Sequence, residues 1–360
     1  MPVKEISPRT HQIDARQADV KPLIIGIEFT QTEIIAALVD ENARVVAERK
    51  LGTPQRTTRA AIAAVAQTVL ELAASKERDR SPLAAIGLSV AGMIDPPTGR
   101  VSIPGWKGWT RVALGQVLEE HLNDSGHDLR RPVTEKRGRA AHASSAHPVI
   151  TISSRASAIA AAESWHGAAR GKSNVVYVSI GADIETGILI NGRALTGAGG
   201  QAGAIGWLAL SDHFKGEYAA NGCLSAEATI NALARRAIEE WGGHGSSMLG
   251  GLIKADASQL NSATILRAAR GGDKLAVKVI NETCRWIGRA IANLISILNP
   301  EAVVIGGELG LALKPYLDEI REESRRWSAP EAARQCKIVS ATVGEKAVVI
   351  GAARLAWPKA

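Results

Sequence analysis

The residues of this sequence with the most obvious chemical potential are its cysteines and one basic cluster. Cys223, Cys284 and Cys336 are odd in number and widely separated, so they predict no disulfide framework. Five basic residues lie close together in one segment: Arg130, Arg131, Lys136, Arg137 and Arg139. With a formal net charge of +7, such a cluster raises the possibility of nucleic-acid binding.

Charge and aromatic content argue against that possibility. The other basic residues are spread along the chain beside acidic ones, and only two Phe and three Tyr are present to stack on bases. The basic cluster is therefore predicted to belong to a solvated insertion loop at about 130–148.

Length and composition place the chain among ordinary globular proteins. Its 360 residues, 46% hydrophobic and 22% charged, suit two domains or one two-lobed unit. No apolar run approaches the roughly 18 residues of a membrane span, and the first residues lack the apolar core of a secretory signal. We expect a cytoplasmic protein with no membrane partner.

Strand and helix patterns alternate twice along the chain. Apolar strands at 23–29, 33–40 and 44–51 precede an alanine-rich helix near 57–75 and a further strand at 84–95. A similar order returns after the basic segment, with strands at 174–182, 186–195 and 302–307. This repetition predicts a duplicated α/β fold with a ligand cleft between two lobes.

We predict a flexible tail at 1–22 and an N-terminal lobe at 23–150, which also takes in about 342–360. The C-terminal lobe is predicted at 151–341.

Several motifs follow one another over more than nine-tenths of the chain. They include SVAGMIDPPTGRVSIPGWKGW at 89–109, ASAIAAAE at 156–163, GILINGRALTGAGGQAGAIGW at 187–207 and AIANLISILNPEAVVIGGELG at 290–310. In order and spacing these motifs resemble the ROK sugar kinases (repressors, open reading frames and kinases). The resemblance implies the two-lobed, actin-like ATPase fold, which is a duplicated ribonuclease H-like fold.

The phosphate loops of this family are altered here. Where ROK kinases have D-x-G-G-T-K, this chain has Glu28, Thr30, Gln31 and Thr32, so both glycines that let backbone N–H groups approach phosphate are lost. The second loop contains Gly181, Ala182 and Asp183, with Glu185 close behind. These two carboxylates either repel a triphosphate or point to solvent. The adenosine-side turn is retained as Gly306 and Gly307.

The catalytic position has changed as well. The resemblance implies an Asn-Asp pair before helix 156–163, with the aspartate as general base, but the pair here is Ser154 and Arg155. A guanidinium cannot accept a proton at neutral pH. Arg155 is therefore either a surface residue at a helix start or part of a cationic cleft, where it would bind an anion or pair with Asp183 or Glu185.

Comparison with the same family motifs indicates that the sugar-binding and zinc-binding groups are also missing. Positions that read sugar hydroxyls in the family are here Gly105, Ala204, Trp207 and Ser225, while Trp106 and Trp207 can stack on a ring or pack in the core. Of the family's zinc ligands only Cys223 remains. We expect no zinc, and a loop at 212–221 held by packing alone.

Three functions stay open from the sequence. The first is a kinase homologue without activity that binds a small, possibly anionic ligand. The second is an active kinase that uses ATP and Mg²⁺ with Glu28, Asp183 or Glu163 as a displaced base, and the third is a regulator acting through protein contacts. The family suggests a homodimer. Because 22 residues before Leu23 are too few for a helix-turn-helix, we expect no direct DNA binding.

Overall fold

Two five-stranded sheets of the same topology form the framework of this computed structural model. The structure describes residues 21–78, 81–126, 129, 148–243 and 247–358. The predicted tail and insertion loop fall almost entirely outside these residues.

The first sheet has the strand order β3-β2-β1-β4-β7. Strands β1 to β3 pair antiparallel, whereas β1, β4 and β7 run parallel. Their bounds are β1 Leu23–Phe29, β2 Glu33–Val39, β3 Val45–Gly52, β4 Leu83–Val90 and β7 Val149–Ser154. A small hairpin of β5 (Met93–Ile94) and β6 (Val101–Ser102) follows β4.

The second sheet repeats this plan with the order β10-β9-β8-β11-β12. Here β8 to β10 are antiparallel and β8, β11 and β12 are parallel. The bounds are β8 Val175–Ile180, β9 Ile184–Ile190, β10 Arg193–Ala194, β11 Ala302–Gly306 and β12 Lys337–Ser340. The equivalent strand orders confirm the predicted duplicated fold.

Thirteen α-helices among the described residues cover these sheets. They are α1 Thr58–Ala73, α2 Leu114–Asp124, α3 Arg155–His166, α4 Tyr218–Asn221, α5 Cys223–Ala228, α6 Ile230–Trp241, α7 Met248–Asp256, α8 Ser262–Arg270, α9 Lys274–Leu298, α10 Gly307–Ala312, α11 Leu317–Trp327, α12 Pro330–Gln335 and α13 Ala347–Ala356. Helices α1 and α2 pack on one face of the first sheet, and the long α9 packs with α5, α6 and α8 on one face of the second. In the described part of the chain no helix has the length and apolar character that crossing a membrane requires.

Helices α3 and α13 form the layer between the two sheets. Their shared core includes Ile24 and Ala85 of the first sheet and Val175 of the second. A Cβ on Gly351 of α13 would lie 1.6 Å from the carbonyl oxygen of Ala158 in α3, so only glycine permits this approach. The alanine-rich sequence of α3 thus reflects close packing on both sides.

The link between the lobes lies slightly later than the predicted boundary at 150/151. Strand β7 pairs with β4 as far as Ser154, because Ile150 and Ile152 pack into the core of the first sheet. Residues 151–154 therefore belong to the first sheet, and α3 begins directly after them.

Candidate functional site

The carboxyl ends of three parallel strands bring the first group of candidate residues together. Glu28 of β1 lies in register with Ser89 of β4, which lies in register with Ser153 of β7. Ser154 caps α3, since its hydroxyl accepts a hydrogen bond from the backbone N–H of Ser157 at 3.2 Å. Arg155, the first residue of α3, is thereby placed beside Glu28.

Arg155 and Glu28 form an ion pair. The guanidinium Nε donates to Glu28 Oε1 at 3.1 Å, and the two side chains are 42% and 12% exposed. The sequence left Asp183 and Glu185 open as partners, but both residues are exposed and Arg155 pairs with Glu28 instead. Neither an unpaired surface arginine nor an uncompensated cationic floor is present here.

The turn at the position of the family's first phosphate loop uses its N–H groups in hydrogen bonds of its own. The hydroxyl of Thr30 accepts hydrogen bonds from the backbone N–H groups of Glu33 at 3.0 Å and Thr32 at 3.3 Å. The N–H of Thr30 itself donates to the carbonyl of Glu33 at 3.0 Å. Three donors that could face an anion are therefore used within the turn, and Gln31 is exposed at its tip.

The backbone of the second loop is also held by hydrogen bonds within the protein. The N–H of Gly181 donates to the carbonyl of Asp183 at 3.0 Å, and the N–H of Ile230 donates to the carbonyl of Gly181 at 3.0 Å. Ala182, Asp183 and Glu185 are exposed, which agrees with the alternative in which the carboxylates point to solvent.

Packing explains the retained glycine pair. Gly307 has φ +80°, and a Cβ there would lie 2.6 Å from the backbone N of Ile180. A Cβ on Gly306 would lie 2.6 Å from the hydroxyl oxygen of Tyr177, whose pKa burial raises. Close contact of β8 with the end of β11 and the start of α10 therefore accounts for both glycines.

A cavity of about 710 Å³ in the second lobe is lined by five further candidate residues. Ala182, Asp183, Ala204, Trp207 and Ser225 line it. Trp207 is 58% exposed. We call this space the Trp207 cavity. Further polar side chains of its wall come from α4 to α6 and the residues around them: Glu217, Asn221, Thr229, Asn231 and Arg235.

The described lining of the Trp207 cavity has no uncompensated positive charge, because it holds one arginine and two carboxylates, Asp183 and Glu217. Arg235 pairs with Glu217 at 3.3 Å and with Glu239 at 3.1 Å, so its guanidinium is already neutralised. Since Arg155 is neutralised by Glu28, the expected electropositive pocket around Arg155, Trp106 and Trp207 is absent from the described residues.

Trp106 and Gly105 do not line the Trp207 cavity. The Trp106 ring stacks on Trp109 with centroids 4.6 Å apart and lies 5.6 Å from the ring of Phe29, inside the core of the first lobe. Gly105 is an exposed turn residue with φ +75°. Of the two predicted roles for Trp106, the structure shows the packing role.

A buried polar network holds the loop where the family resemblance implies zinc ligands. Glu227 Oε1 accepts from Lys215 Nζ and from the Tyr218 hydroxyl, both at 2.5 Å, and Arg236 Nη2 donates to Oε2 at 2.8 Å. Arg236 also donates to Thr283 Oγ1 at 2.7 Å. The expectation that loop 212–221 is held by packing alone is therefore wrong.

Titration behaviour follows from this geometry. Burial by itself would raise the pKa of Glu227, but hydrogen bonds from Lys215, Tyr218 and Arg236 outweigh it and hold the pKa below its ordinary value. Burial and the bond to Glu227 raise the pKa of the Tyr218 hydroxyl. Sequence reasoning missed this network, because nothing local distinguishes Glu227 from other acidic helix residues.

No described group of three or more His, Cys, Asp or Glu side chains has a metal-binding arrangement. All three cysteines are buried free thiols. Glu163, one proposed displaced base, is buried and accepts from the N–H groups of Thr342 at 2.8 Å and Val343 at 2.9 Å. Its role is to tie α3 to the segment before α13.

Known proteins are similar to this chain over most of its length. The model of the ROK family matches residues 24–125 and 143–359. A glucokinase of Halalkalibacterium halodurans is 28% identical over 91% of this chain and 92% of its own length. The crystal structure of a ROK hexokinase from Thermus thermophilus has a TM-score of 0.71 and 25% identity, covering 93% of this chain and 97% of that one.

A third relative corrects one expectation. The DNA-binding transcriptional dual regulator NagC of Escherichia coli is 26% identical over 82% of this chain and 66% of its own length. The expectation of no direct DNA binding is therefore wrong, because the proteins similar to this chain over most of its length include a DNA-binding regulator. It rested on the residues before Leu23, of which 1–20 lie outside the described part.

Proposed function

The chain belongs to the ROK family, and from that premise we propose that it is a sugar-kinase-like protein that binds a small polar ligand without transferring phosphate. The observation that carries this proposal is the ion pair between Arg155 and Glu28. The family resemblance implies the general base at the position of Arg155 and the acidic residue of the first phosphate loop at the position of Glu28.

The pair removes both chemical groups that the reaction needs. Arg155 stays protonated at neutral pH and cannot accept the proton of an attacking hydroxyl. Glu28 is engaged by that guanidinium. The Thr30 turn uses three of its own N–H groups, so it offers little electrostatic stabilisation to a transferring phosphoryl group.

The ligand that best suits the Trp207 cavity is uncharged and rich in hydroxyl groups. Ser225, Thr229 and the amides of Asn221 and Asn231 offer both donors and acceptors, and the exposed indole of Trp207 offers an apolar face. An anionic ligand would find no unpaired cation among these residues, since Arg155 and Arg235 are both paired with glutamates. We propose a neutral sugar as the ligand class.

An ADP-release assay tests the catalytic part. With ATP and Mg²⁺ and each of glucose, mannose, N-acetylglucosamine and N-acetylmannosamine, we expect no turnover above background. An active glucokinase serves as the positive control. Turnover above about 1 per second on any of these sugars would contradict the proposal, because that is an ordinary enzyme rate.

Calorimetric titration with the same sugars tests the binding part. We expect one sugar to bind and Trp207→Ala to weaken it by about tenfold, as loss of a stacking face predicts. Trp327→Ala is the matched control, since it removes a similarly exposed indole from α11. The absence of binding at millimolar sugar, or equal effects of both variants, would exclude this ligand class.

A further inference from the structure

A second cavity, of about 810 Å³, lies where three segments of the chain meet. Its walls come from β7 of the first sheet, from the turn and strand β10 of the second sheet, and from the C-terminal end of α13. The lining residues are Thr151, Ile152, Ser153, Asn191, Gly192, Arg193, Ala194, Arg354, Leu355, Trp357 and Pro358. No residue is shared with the Trp207 cavity.

The lining contains two arginines and no acidic residue. Arg193 and Arg354 have no carboxylate within ion-pair distance among the described residues, in contrast to Arg155 and Arg235. Two uncompensated guanidinium groups at one cavity favour an anion, and their planar donor pairs match phosphate oxygens.

The surroundings hold the side chain of Arg354 and the backbone turn that carries Arg193. The guanidinium carbon of Arg354 lies 5.4 Å from the centre of the Trp165 ring, and Trp165 packs on Trp357 with centroids 5.6 Å apart. Arg193 follows the Asn191-Gly192 turn, in which both residues have positive φ. The N–H of Asn191 donates to Asn174 Oδ1 at 3.0 Å, and the N–H of Gly192 donates to the carbonyl of Ser173 at 2.8 Å.

Neutral donors supplement these charges. Thr151 and Ser153 alternate with core-facing Ile150 and Ile152, so they share the opposite face of β7. The hydroxyl of Ser153 is buried and has no hydrogen-bond partner among the described residues. A buried polar group without a partner is costly, and a bound acceptor would relieve that cost.

We propose that this cavity, the Arg193–Arg354 site, binds a small organic molecule that carries a phosphate group. Its volume exceeds what inorganic phosphate alone would fill and suits a compact organic body beside Trp357 and Leu355. A ligand there would contact both sheets and α13 at once. This proposal is independent of the neutral ligand proposed for the Trp207 cavity.

Titration calorimetry of the full chain with phenyl phosphate tests the site. We expect saturable binding of one molecule per chain, weaker binding of benzoate and none of phenol. Arg193→Ala and Arg354→Ala should each weaken phenyl phosphate binding by roughly 10-fold to 100-fold, as loss of a charge-assisted hydrogen bond predicts. Arg59→Ala, which removes an exposed arginine from α1, is the matched control and should leave it unchanged.

Other results would overturn the proposal. They are the absence of saturable binding at millimolar phenyl phosphate, unchanged binding in Arg193→Ala, and an equal loss in Arg59→Ala. A loss in Trp207→Ala would assign the ligand to the Trp207 cavity instead. If Arg354→Ala lowers the unfolding temperature, Arg193→Ala decides, because Arg193 is exposed on a hairpin.

Discussion

Two glutamate–arginine pairs in this molecule differ in burial and in the number of partners. Glu227 and Arg236 are 5% and 7% exposed, and the carboxylate also accepts from Lys215 and Tyr218. Glu28 and Arg155 form a single bond, with Arg155 about half exposed. Lys215 and Tyr218 lie in the stretch where the family resemblance implies zinc ligands, and Arg155 stands where it implies the general base.

The two pairs therefore differ in how firmly they hold the structure around them. A buried carboxylate with three donors fixes the loop around it, because loss of any partner leaves a buried polar group unsatisfied. A half-exposed pair is screened by water and can be broken at little cost. The loop around Glu227 is thus held by a buried network, whereas the Glu28–Arg155 pair is neutral but open to solvent.

Removal of the Glu227 carboxylate tests this distinction most strongly. We expect Glu227→Ala to lower the free energy of unfolding by about 3–5 kcal/mol, because Arg236 would remain buried without its partner. Urea unfolding followed by circular dichroism measures the change. Glu331→Ala, which removes an exposed partner of Arg334, is the control and should cost less than about 1 kcal/mol. Equal effects would show that the buried network has no special role.

Acid should weaken the same network. The pKa of Glu227 is lowered in the folded protein, so its stabilisation is fully present above its ordinary value of 4.5 and is lost as pH falls through the folded-state pKa. We expect the difference in unfolding free energy between the wild type and Glu227→Gln to shrink below pH 4.5. Unfolding curves from pH 7 to pH 3 measure it. A constant difference over that range would contradict the assigned pKa direction.

The Glu28–Arg155 pair should contribute much less. A double-mutant cycle with Glu28→Gln and Arg155→Ala should give a coupling energy below about 1 kcal/mol, because Arg155 is 42% exposed. Chemical unfolding of the four proteins provides the value. A coupling above about 2 kcal/mol would place this pair in the same class as Glu227 and Arg236.

Metal removal should have the smallest effect. We expect less than stoichiometric zinc in the purified protein and an unchanged unfolding temperature after treatment with a chelator, because Glu227 and its donors occupy the loop and Cys223 is the single retained family ligand. Elemental analysis and thermal unfolding measure both. One zinc ion per chain would show that the network and a metal coexist.

Much of the fold could be predicted from the sequence. The strands predicted at 23–29 and 33–40 are confirmed as Leu23–Phe29 and Glu33–Val39, because continuous apolar runs and short turns define them locally. The alanine-rich helix near 57–75 is confirmed as Thr58–Ala73, with Thr57 as its cap. The close packing of α3 and α13 required both sheets to be in place.

From the sequence, only the residue types of the candidate site could be predicted, not their contacts. That Arg155 cannot act as a general base follows from the sequence alone, since residue chemistry limits what each position can do. The partner of Arg155 could not be inferred, because Glu28 lies 127 residues away. Charge alone made Asp183 and Glu185 equally plausible partners.

The sequence by itself determined the family and the duplicated α/β order, because these depend on local pattern and on the chemistry of single side chains. The tertiary structure alone decided which charges meet. Parallel strand ends placed Glu28 beside Arg155, the loop and helices α5 and α6 gathered three donors around Glu227, and the junction of two sheets left Arg193 and Arg354 at one cavity. Pairing of charges depends on distance and burial, and both arise only when remote segments pack together.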